Sequence, residues 1–237
     1  MDKHKEAIQL RMQRERDQRI QSILGAAQRV FIAEGYTKAI MDKIALEAGI
    51  TKPTIYQYFK TKDDLFFTLM LPVIEELRIQ LSNIETKLTT HKYRTGKALI
   101  RDLFSSALQS YKLAPETFLM IQFFQETGLV GKLDDHISRE LNDRGRHNFV
   151  VLRLVIKIGM EQGLIKKMNV NELADVLWGL FVGIIHLEHI KGQGQRPPIY
   201  LNTTMKVAED LIAGTLVAVK PAKKKLPNGC RSQPIEH

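Results

Sequence analysis

A short segment, residues 41–62, constrains the fold of this chain more than any other part of the sequence. Its first half has the i, i+3, i+4, i+7 apolar spacing of a short amphipathic helix, formed by Met41, Ile44, Ala45 and Ala48. Gly49 follows at once, and glycine readily takes the left-handed conformation that ends a helix. Ile50 comes next, where an apolar contact can fix the turn. The pattern predicts a helix that ends in a tight turn.

A second helix is predicted to begin directly after this turn. Thr51 is a favourable N-cap, and Pro53 falls in the first turn, where its missing N–H costs nothing. Ile55 and Phe59 would be buried on one side, and the other side is polar. Two short helices joined at a glycine, the second with a polar face, indicate a helix-turn-helix. An ordinary helical hairpin inside a bundle is the alternative.

The rest of the chain also predicts helices. A helix with apolar positions from Ile20 to Phe31 precedes the motif, and Thr61 with Asp64 predicts a capping box for a long helix that is kinked at Pro72. Further helices are predicted at 95–113, 115–127, 133–162, 171–190 and 203–219. Because no segment alternates as a strand does, the predicted fold is all-α, with an N-terminal three-helix domain and a larger helical domain.

Positive charge is concentrated at the two ends of the chain, whose net charge is +9. Residues 1–62 carry 12 Lys or Arg against 7 Asp or Glu, residues 220–237 carry 5 against 1, and residues 63–219 carry 18 of each. Basic ends on a neutral body are typical of binding to a phosphate backbone, whereas charge that served only solubility would be spread evenly.

These features divide the chain into four segments. They are a basic arm (1–19), a helix-turn-helix domain (20–66), a larger helical domain (67–219) and a basic, disordered tail (220–237). The arm could be disordered, could extend the next helix or could lie in a nucleic-acid groove.

A set of residues resembles, in order and spacing, the DNA-binding domain of the TetR family of bacterial regulators. The set comprises Gly35, Tyr36, Ile44, Ala45, Ala48, Gly49, Ile50, Thr54, Ile55, Tyr56, Tyr58, Phe59 and Lys62. The resemblance covers Ile20 to Leu65. It implies a cytoplasmic, homodimeric transcriptional regulator that binds a near-palindromic double-stranded DNA operator. Repression is the family's default, with release when a small-molecule effector enters the larger domain.

The resemblance also assigns roles to single residues. The recognition helix would be Thr51 to Phe59, and its residues that face the major groove would be Lys52, Pro53, Thr54, Tyr56 and Gln57. Lys52 can donate to guanine acceptors, and Pro53 can touch a thymine methyl group. Tyr58 and Lys62 would hold phosphates.

This chain departs from the family at the start of the first motif helix. Family members usually carry Ser or Thr at the positions of Ala39 and Ile40, where the hydroxyl caps the helix and touches a phosphate. Neither side chain can do so here. Asp42 adds a negative charge nearby, so the sequence gives no support for that phosphate contact.

Aromatic and methionine side chains in the larger domain predict an apolar pocket for an apolar or amphipathic effector. The expected pocket residues are Phe104, Tyr111, Phe118, Met120, Gln122, Phe123, Phe124 and Met160, with Gln125 and Asn148 as further polar candidates. The alternative is that the aromatic and methionine side chains form ordinary core.

Helix 171–190 is apolar nearly all round, so it needs cover on every side. A central core helix within one chain would satisfy this, and so would pairing with a second copy. The resemblance favours the dimer, because family members pair through their last two long helices. The predicted interface consists of Trp178, Gly179, Phe181, Val182, Gly183, Ile185, Leu211 and Ile212.

Other function classes find little support in the sequence. His186 and His189 share a helix face, but no third ligand follows at a telling spacing, so no metal or cofactor is expected. The sequence contains no nucleophile elbow, phosphate-binding glycine loop or zinc-protease motif that would indicate an enzyme. The longest apolar run, 176–185, is too short to cross a membrane, and the single Cys230 fits a reducing compartment.

Two rival interpretations stay open. The chain could be a ligand-binding or catalytic bundle that keeps a non-functional motif. It could also be a non-specific nucleoid binder, which would explain the charge without a pocket.

Overall fold

The computed structural model describes residues 3–192 and 199–217. The predictions for the basic tail, and for the other residues outside these ranges, cannot be compared with it. The helices are α1 (Lys3–Glu34), α2 (Met41–Glu47), α3 (Lys52–Tyr56), α4 (Lys62–Thr89), α5 (Gly96–Leu113), α6 (Pro115–Glu126), α7 (Asp135–Glu161), α8 (Val170–Lys191) and α9 (Leu201–Leu216). A 3-10 turn, Leu129–Lys132, precedes α7. Within the described residues the only β contact is an isolated bridge between Ile165 and Val217, so the all-α prediction is confirmed.

The turn between α2 and α3 forms at Gly49, as the sequence predicts. Gly49 has a φ of 65°. Its N–H donates to the Leu46 carbonyl at 3.0 Å, and the Ile50 N–H donates to the Ala45 carbonyl at 3.0 Å. These two bonds satisfy carbonyls that the end of α2 would otherwise leave open. The chain therefore leaves α2 in a fixed direction and enters α3.

The caps of the next two helices differ. Thr61 and Asp64 form the predicted capping box, with the Asp64 N–H 3.0 Å from Thr61 Oγ1 and the Thr61 N–H 3.1 Å from Asp64 Oδ2. Thr51 precedes α3 but gives it no side-chain cap, because its hydroxyl lies 2.8 Å from the hydroxyl of Thr54. In addition, α3 ends at Tyr56 rather than at the predicted Phe59.

The N-terminal segment is helical and continuous with α1. Of the three alternatives for the arm, the structure shows the helix extension from Lys3 onwards. Residues 5–19 of this extension are exposed. The Arg16 guanidinium lies 5.5 Å from the ring centre of Tyr58, so the extension reaches the neighbourhood of the helix-turn-helix.

Two apolar cores hold the fold together. The N-terminal core contains Ile23, Ile44, Ile55 and Phe66, and it also takes in side chains from α6 and α7. The C-terminal core is built from α4–α9. Because α4 runs unbroken through Pro72, one helix contributes side chains to both cores.

Helix α8 is the one helix of the described ranges that is long and apolar enough to cross a membrane by length and composition. Its buried side, with Leu177, Phe181 and Ile184, packs into the C-terminal core. Core helices of globular proteins pass the same test, so this composition is weak support for a membrane span.

Candidate functional site

The polar side of α3 lies on the surface. Lys52, Pro53 and Gln57 are exposed, Tyr56 is 43% exposed, and Thr54 is half-buried. We call these five residues the recognition face. On the opposite side of α3, Ile55 is fully buried in the N-terminal core and fixes the orientation of this short helix. Four of the five side chains predicted to face a DNA groove are thus exposed on α3 or at Gln57, the residue that follows it, and Tyr58 lies half-buried just beyond.

Lys52 has a carboxylate partner in α2. Its Nζ lies 2.9 Å from Asp42 Oδ1 and 3.0 Å from Asp42 Oδ2. Hydrogen bonding to Asp42, and then its negative charge, raise the pKa of Lys52. Both side chains are more than half exposed, so water competes with this pair and its contribution to folding is small. Lys52 can therefore exchange Asp42 for another acceptor at little cost.

Lys62 is placed differently from Lys52. Its Nζ donates to the Tyr36 carbonyl at 2.8 Å and to the Ala39 carbonyl at 3.1 Å, and it lies 4.2 Å from the ring centre of Tyr36. Partial burial lowers the pKa of Lys62. Since an ammonium group has three N–H donors, only one is left for a phosphate. The predicted phosphate contact stays a prediction, and the structure adds a role in fixing the loop before α2.

The start of α2 has no side-chain cap. Ile40 occupies the N-cap position and is 51% exposed, while Ala39 is 1% exposed. The departure noted in the sequence therefore leaves this helix start without a hydroxyl.

An apolar cavity of about 130 Å³ lies in the larger domain between α4, α5, α6, α7 and α8. None of the described residues that line it is charged. Its aromatic walls come from Phe104, Phe118, Phe124, Phe149, Trp178 and Phe181. Since apolar walls bind mainly through dispersion and exclusion of water, the cavity suits an apolar ligand or the apolar part of an amphipathic one.

The structure places half of the expected pocket residues at the cavity and half elsewhere. Phe104, Phe118, Gln122 and Phe124 line the cavity, as do the polar candidates Gln125 and Asn148. Four predicted residues do not. Tyr111 and Met160 are buried in the C-terminal core, Met120 packs against the N-terminal core, and Phe123 is 53% exposed. Helical spacing indicated that these apolar side chains could be buried. It gave no information on which core, if either, would cover them.

Two residues assigned to the dimer interface line the cavity. Phe181 is 2% exposed and Trp178 is half-buried, and both line the cavity. The Trp178 ring centre lies 5.7 Å from that of Phe181 and 5.8 Å from that of Phe149. Ile185 is likewise buried within the protomer, at 2% exposure. Because α8 is apolar all round, its sequence could not separate the buried side from the open one.

The cavity shares side chains with the N-terminal core. Met70, Phe124 and Leu141 line the cavity and are also buried in that core. The Phe124 ring centre lies 3.9 Å from that of Phe66 and 5.0 Å from that of Tyr36. A ligand that moves these side chains must therefore disturb the packing beneath the helix-turn-helix.

A polar link joins the same two regions. The Tyr36 hydroxyl donates to one oxygen of Asp63, and the other oxygen accepts the Asp134 N–H at 2.7 Å. Burial, together with the bond to Asp63, raises the pKa of Tyr36, so its hydroxyl stays a donor at physiological pH. Tyr36, whose carbonyl accepts a hydrogen bond from Lys62, is thus linked through Asp63 to the start of α7.

An open apolar face runs along α8 and α9. It consists of Val176, Gly179, Gly183, Leu187, Ile190, Val207 and Leu211, all exposed. Val182 and Ile212, also assigned to the interface, are half-buried beside it. A Cβ added at Gly179 or Gly183 would meet no atom of the protomer within 4 Å. Of the residues assigned to the interface, Gly179, Gly183 and Leu211 belong to this uncovered α8–α9 face.

The acidic and histidine side chains at the end of α8 are not arranged around a common point. Glu188 is 2% exposed and is held by Lys191 at 2.7 Å, whereas His186 lies 4.0 Å from Glu126 on α6. Within the described residues there is no group of three or more His, Cys, Asp or Glu that could hold a metal ion.

The chain is similar to known regulators over both domains. Residues 23–69 match the bacterial regulatory proteins of the tetR family. The chain is 26% identical over 188 residues to an uncharacterised HTH-type transcriptional regulator, YhgD, of Bacillus subtilis, covering 79% of this chain and 91% of that protein.

Two solved structures share the fold. The ketosteroid transcriptional regulator KstR2 of Mycobacterium tuberculosis matches with a TM-score of 0.66 at 14% identity, covering 85% of this chain and 96% of that one. FadR of Bacillus subtilis, in complex with stearoyl-CoA, matches with a TM-score of 0.58 at 18% identity, covering 79% of this chain and 96% of that one.

Proposed function

Because this chain belongs to the TetR family and is a transcriptional regulator, we propose that it is a repressor that binds a near-palindromic operator as a homodimer and is released by a small effector. The proposal places the protein in the cytoplasm, with no cofactor, metal or catalytic activity. It assigns DNA reading to the recognition face and effector binding to the cavity.

Exposure and charge support the DNA-binding part of the proposal. The recognition face is polar and open to solvent, and Lys52 can be released from Asp42 at little cost. The helix-turn-helix and the arm carry the excess of Lys and Arg at this end of the chain. A major groove presents base edges that such a helix can read, and phosphates supply sequence-independent affinity.

The observation that carries the effector part is the sharing of Met70, Phe124 and Leu141 between the cavity and the N-terminal core. The cavity holds about 130 Å³, so a ligand with a long hydrocarbon chain must displace the walls to enter. Such a displacement passes directly to Phe66 and Tyr36 through Phe124. The similarity to FadR with its bound stearoyl-CoA makes a long-chain apolar or amphipathic effector our choice.

The α8–α9 face supports the dimer. Exposed apolar side chains on neighbouring helices favour association, and the two glycines allow a partner helix to come close. The Cβ of Gly183→Leu would meet no atom of the protomer, and the side chain would collide with a partner there. We expect monomer or aggregate by light scattering, while Ser105→Leu on the exposed side of α5 should keep the dimer mass. A normal dimer mass for Gly183→Leu would show that this face is not the interface.

Selection of bound duplexes from a random pool, repeated with decanol and separately with decanoate present, tests the function as a whole. We expect an enriched inverted repeat whose binding falls when one of the two amphipathic ligands is added. Binding without an enriched motif would favour the non-specific nucleoid binder. A protein that binds no DNA would favour the helical bundle with a non-functional motif.

A further inference from the structure

Asn148 lies on α7 where the apolar cavity meets an adjoining polar groove. Its side chain is 6% exposed, and its Nδ2 donates to the Ile74 carbonyl on α4 at 3.1 Å. Because a carbonyl oxygen can only accept, this bond sets the orientation of the amide. Among the residues that the structure describes, the buried Oδ1 of Asn148 finds no hydrogen-bond partner.

An unpaired, buried acceptor is unfavourable, and a ligand that pairs with it gains affinity. The loss from leaving such a group unpaired corresponds to roughly tenfold in an equilibrium constant. The other lining residues are mostly apolar, so a water molecule there would find few of the polar partners that buried water needs. A hydrogen-bond donor on the ligand is the better partner for Oδ1.

The surroundings of Asn148 argue against an anionic head group. No charged residue lines the described cavity, and a carboxylate would place a second acceptor against Oδ1. The adjoining groove, which shares Ile74 and Asn148 with the cavity, does contain Arg78 and Arg144. Both are already bound by carboxylates, since Arg78 lies 2.6 Å from Glu75 and Arg144 lies 2.7 Å from Glu140.

We infer that the effector has an apolar body and a neutral hydrogen-bond donor, a hydroxyl or an amide N–H, that pairs with Asn148 Oδ1. This inference rests on the proposed function of the cavity. It places the polar end of the ligand between α4 and α7 and its apolar part along the aromatic walls. Asn148 thereby selects donors over ethers, esters and anions of the same length.

The chain contains its own probe for the test. Trp178 is the only tryptophan, and it lines the cavity, so its fluorescence reports occupancy. The matched ligands are decanol and its isomer nonyl methyl ether, which has the same atoms but no donor. Decanamide and N,N-dimethyldecanamide make the same comparison for an amide. Decanoate at about pH 8 is ionised and supplies the anion.

In the full-length protein we expect decanol to bind about tenfold more tightly than the ether, and decanamide to exceed its dimethyl derivative similarly. Decanoate should bind more weakly than decanol. Asn148→Leu should keep the binding of the ether and remove the preference for the alcohol, and Asn148→Ala serves if leucine prevents folding. Asn142→Leu is the matched control, because Asn142 lines the cavity from the same helix but is exposed, and it should keep the preference.

The outcomes separate this inference from the proposed function. Equal binding of alcohol and ether, tighter binding of decanoate, or a preference that survives removal of the Asn148 amide would each overturn the inference and leave the effector cavity standing. A Trp178 signal that no probe changes would overturn both.

Discussion

The recognition face and the cavity both contain polar groups, but they differ in whether these groups are paired. On the surface, Lys52 pairs with Asp42, and each side chain stays more than half exposed. In the cavity, the Asn148 amide is buried, and its Oδ1 has no partner within the described part of the chain. Water can replace Asp42 at little cost, whereas a buried acceptor such as Oδ1 gains when a donor reaches it. An exposed polar group that binds a macromolecule can pair with a neighbouring side chain until the partner arrives. A buried polar group without a hydrogen-bond partner instead indicates a ligand.

The largest expected effect concerns the side chain that joins the two regions. Phe124→Ala should lower the free energy of unfolding by about 3–5 kcal/mol, because it empties space in the N-terminal core and in the cavity wall together. Urea unfolding measures this loss. Phe123→Ala is the control, since Phe123 is its neighbour on α6 but 53% exposed, and it should cost less than about 1 kcal/mol. Equal losses would mean that Phe124 does not link the two regions.

The next effect concerns DNA reading by the recognition face. Lys52→Ala should weaken binding to the cognate site by roughly tenfold to a hundredfold, because a base contact is lost, and binding to scrambled DNA only by the few-fold of a lost charge. Filter binding on both duplexes measures the two ratios. Lys43→Ala removes the same charge from α2 and should affect both duplexes alike. If Lys52→Ala weakens binding to the cognate and the scrambled duplex by the same factor, the helix does not read sequence through Lys52.

Lys62 should combine a structural loss with a phosphate effect. Lys62→Met removes the hydrogen bonds to Tyr36 and Ala39 and should cost about 1–3 kcal/mol of stability. It should also weaken binding to all DNA sequences about equally, since we expect Lys62 to reach only the phosphate backbone of the DNA. Lys60→Met, an exposed neighbour, should leave stability unchanged. A stable Lys62→Met protein with normal DNA affinity would remove both roles.

The smallest expected effect comes from the partner of Lys52. Asp42→Asn removes a negative charge beside the recognition face and should tighten binding to every duplex a few-fold, more at low salt than at high salt. The unfolding transition should stay almost unchanged, because the pair is exposed. Asp210→Asn on α9, which removes the charge that pairs with the exposed Lys97 and Lys206, should not change DNA binding. Weaker binding by Asp42→Asn would mean that the pair positions Lys52 for DNA.

The local elements of the helix-turn-helix were predictable from sequence, because a few neighbouring residues determine them. Gly49 takes the left-handed turn, and Thr61 with Asp64 forms the capping box, since each depends on contacts within about one helical turn. The failures in the same region have a similar origin. Thr51 found a second hydroxyl at Thr54 and did not cap α3, and the spacing of the two residues allowed either outcome.

By itself the sequence determined that the chain is helical, where its helices break and which side of α3 is polar, because periodicity and caps act over a few residues. Only the tertiary structure decided that Phe124 enters the cavity while Phe123 faces solvent, and that Phe181 turns inward while Gly183 stays open. It also decided that Lys62 serves two carbonyls more than twenty positions away. Periodicity shows which residues share a face, but the partner that covers the face comes from distant parts of the chain.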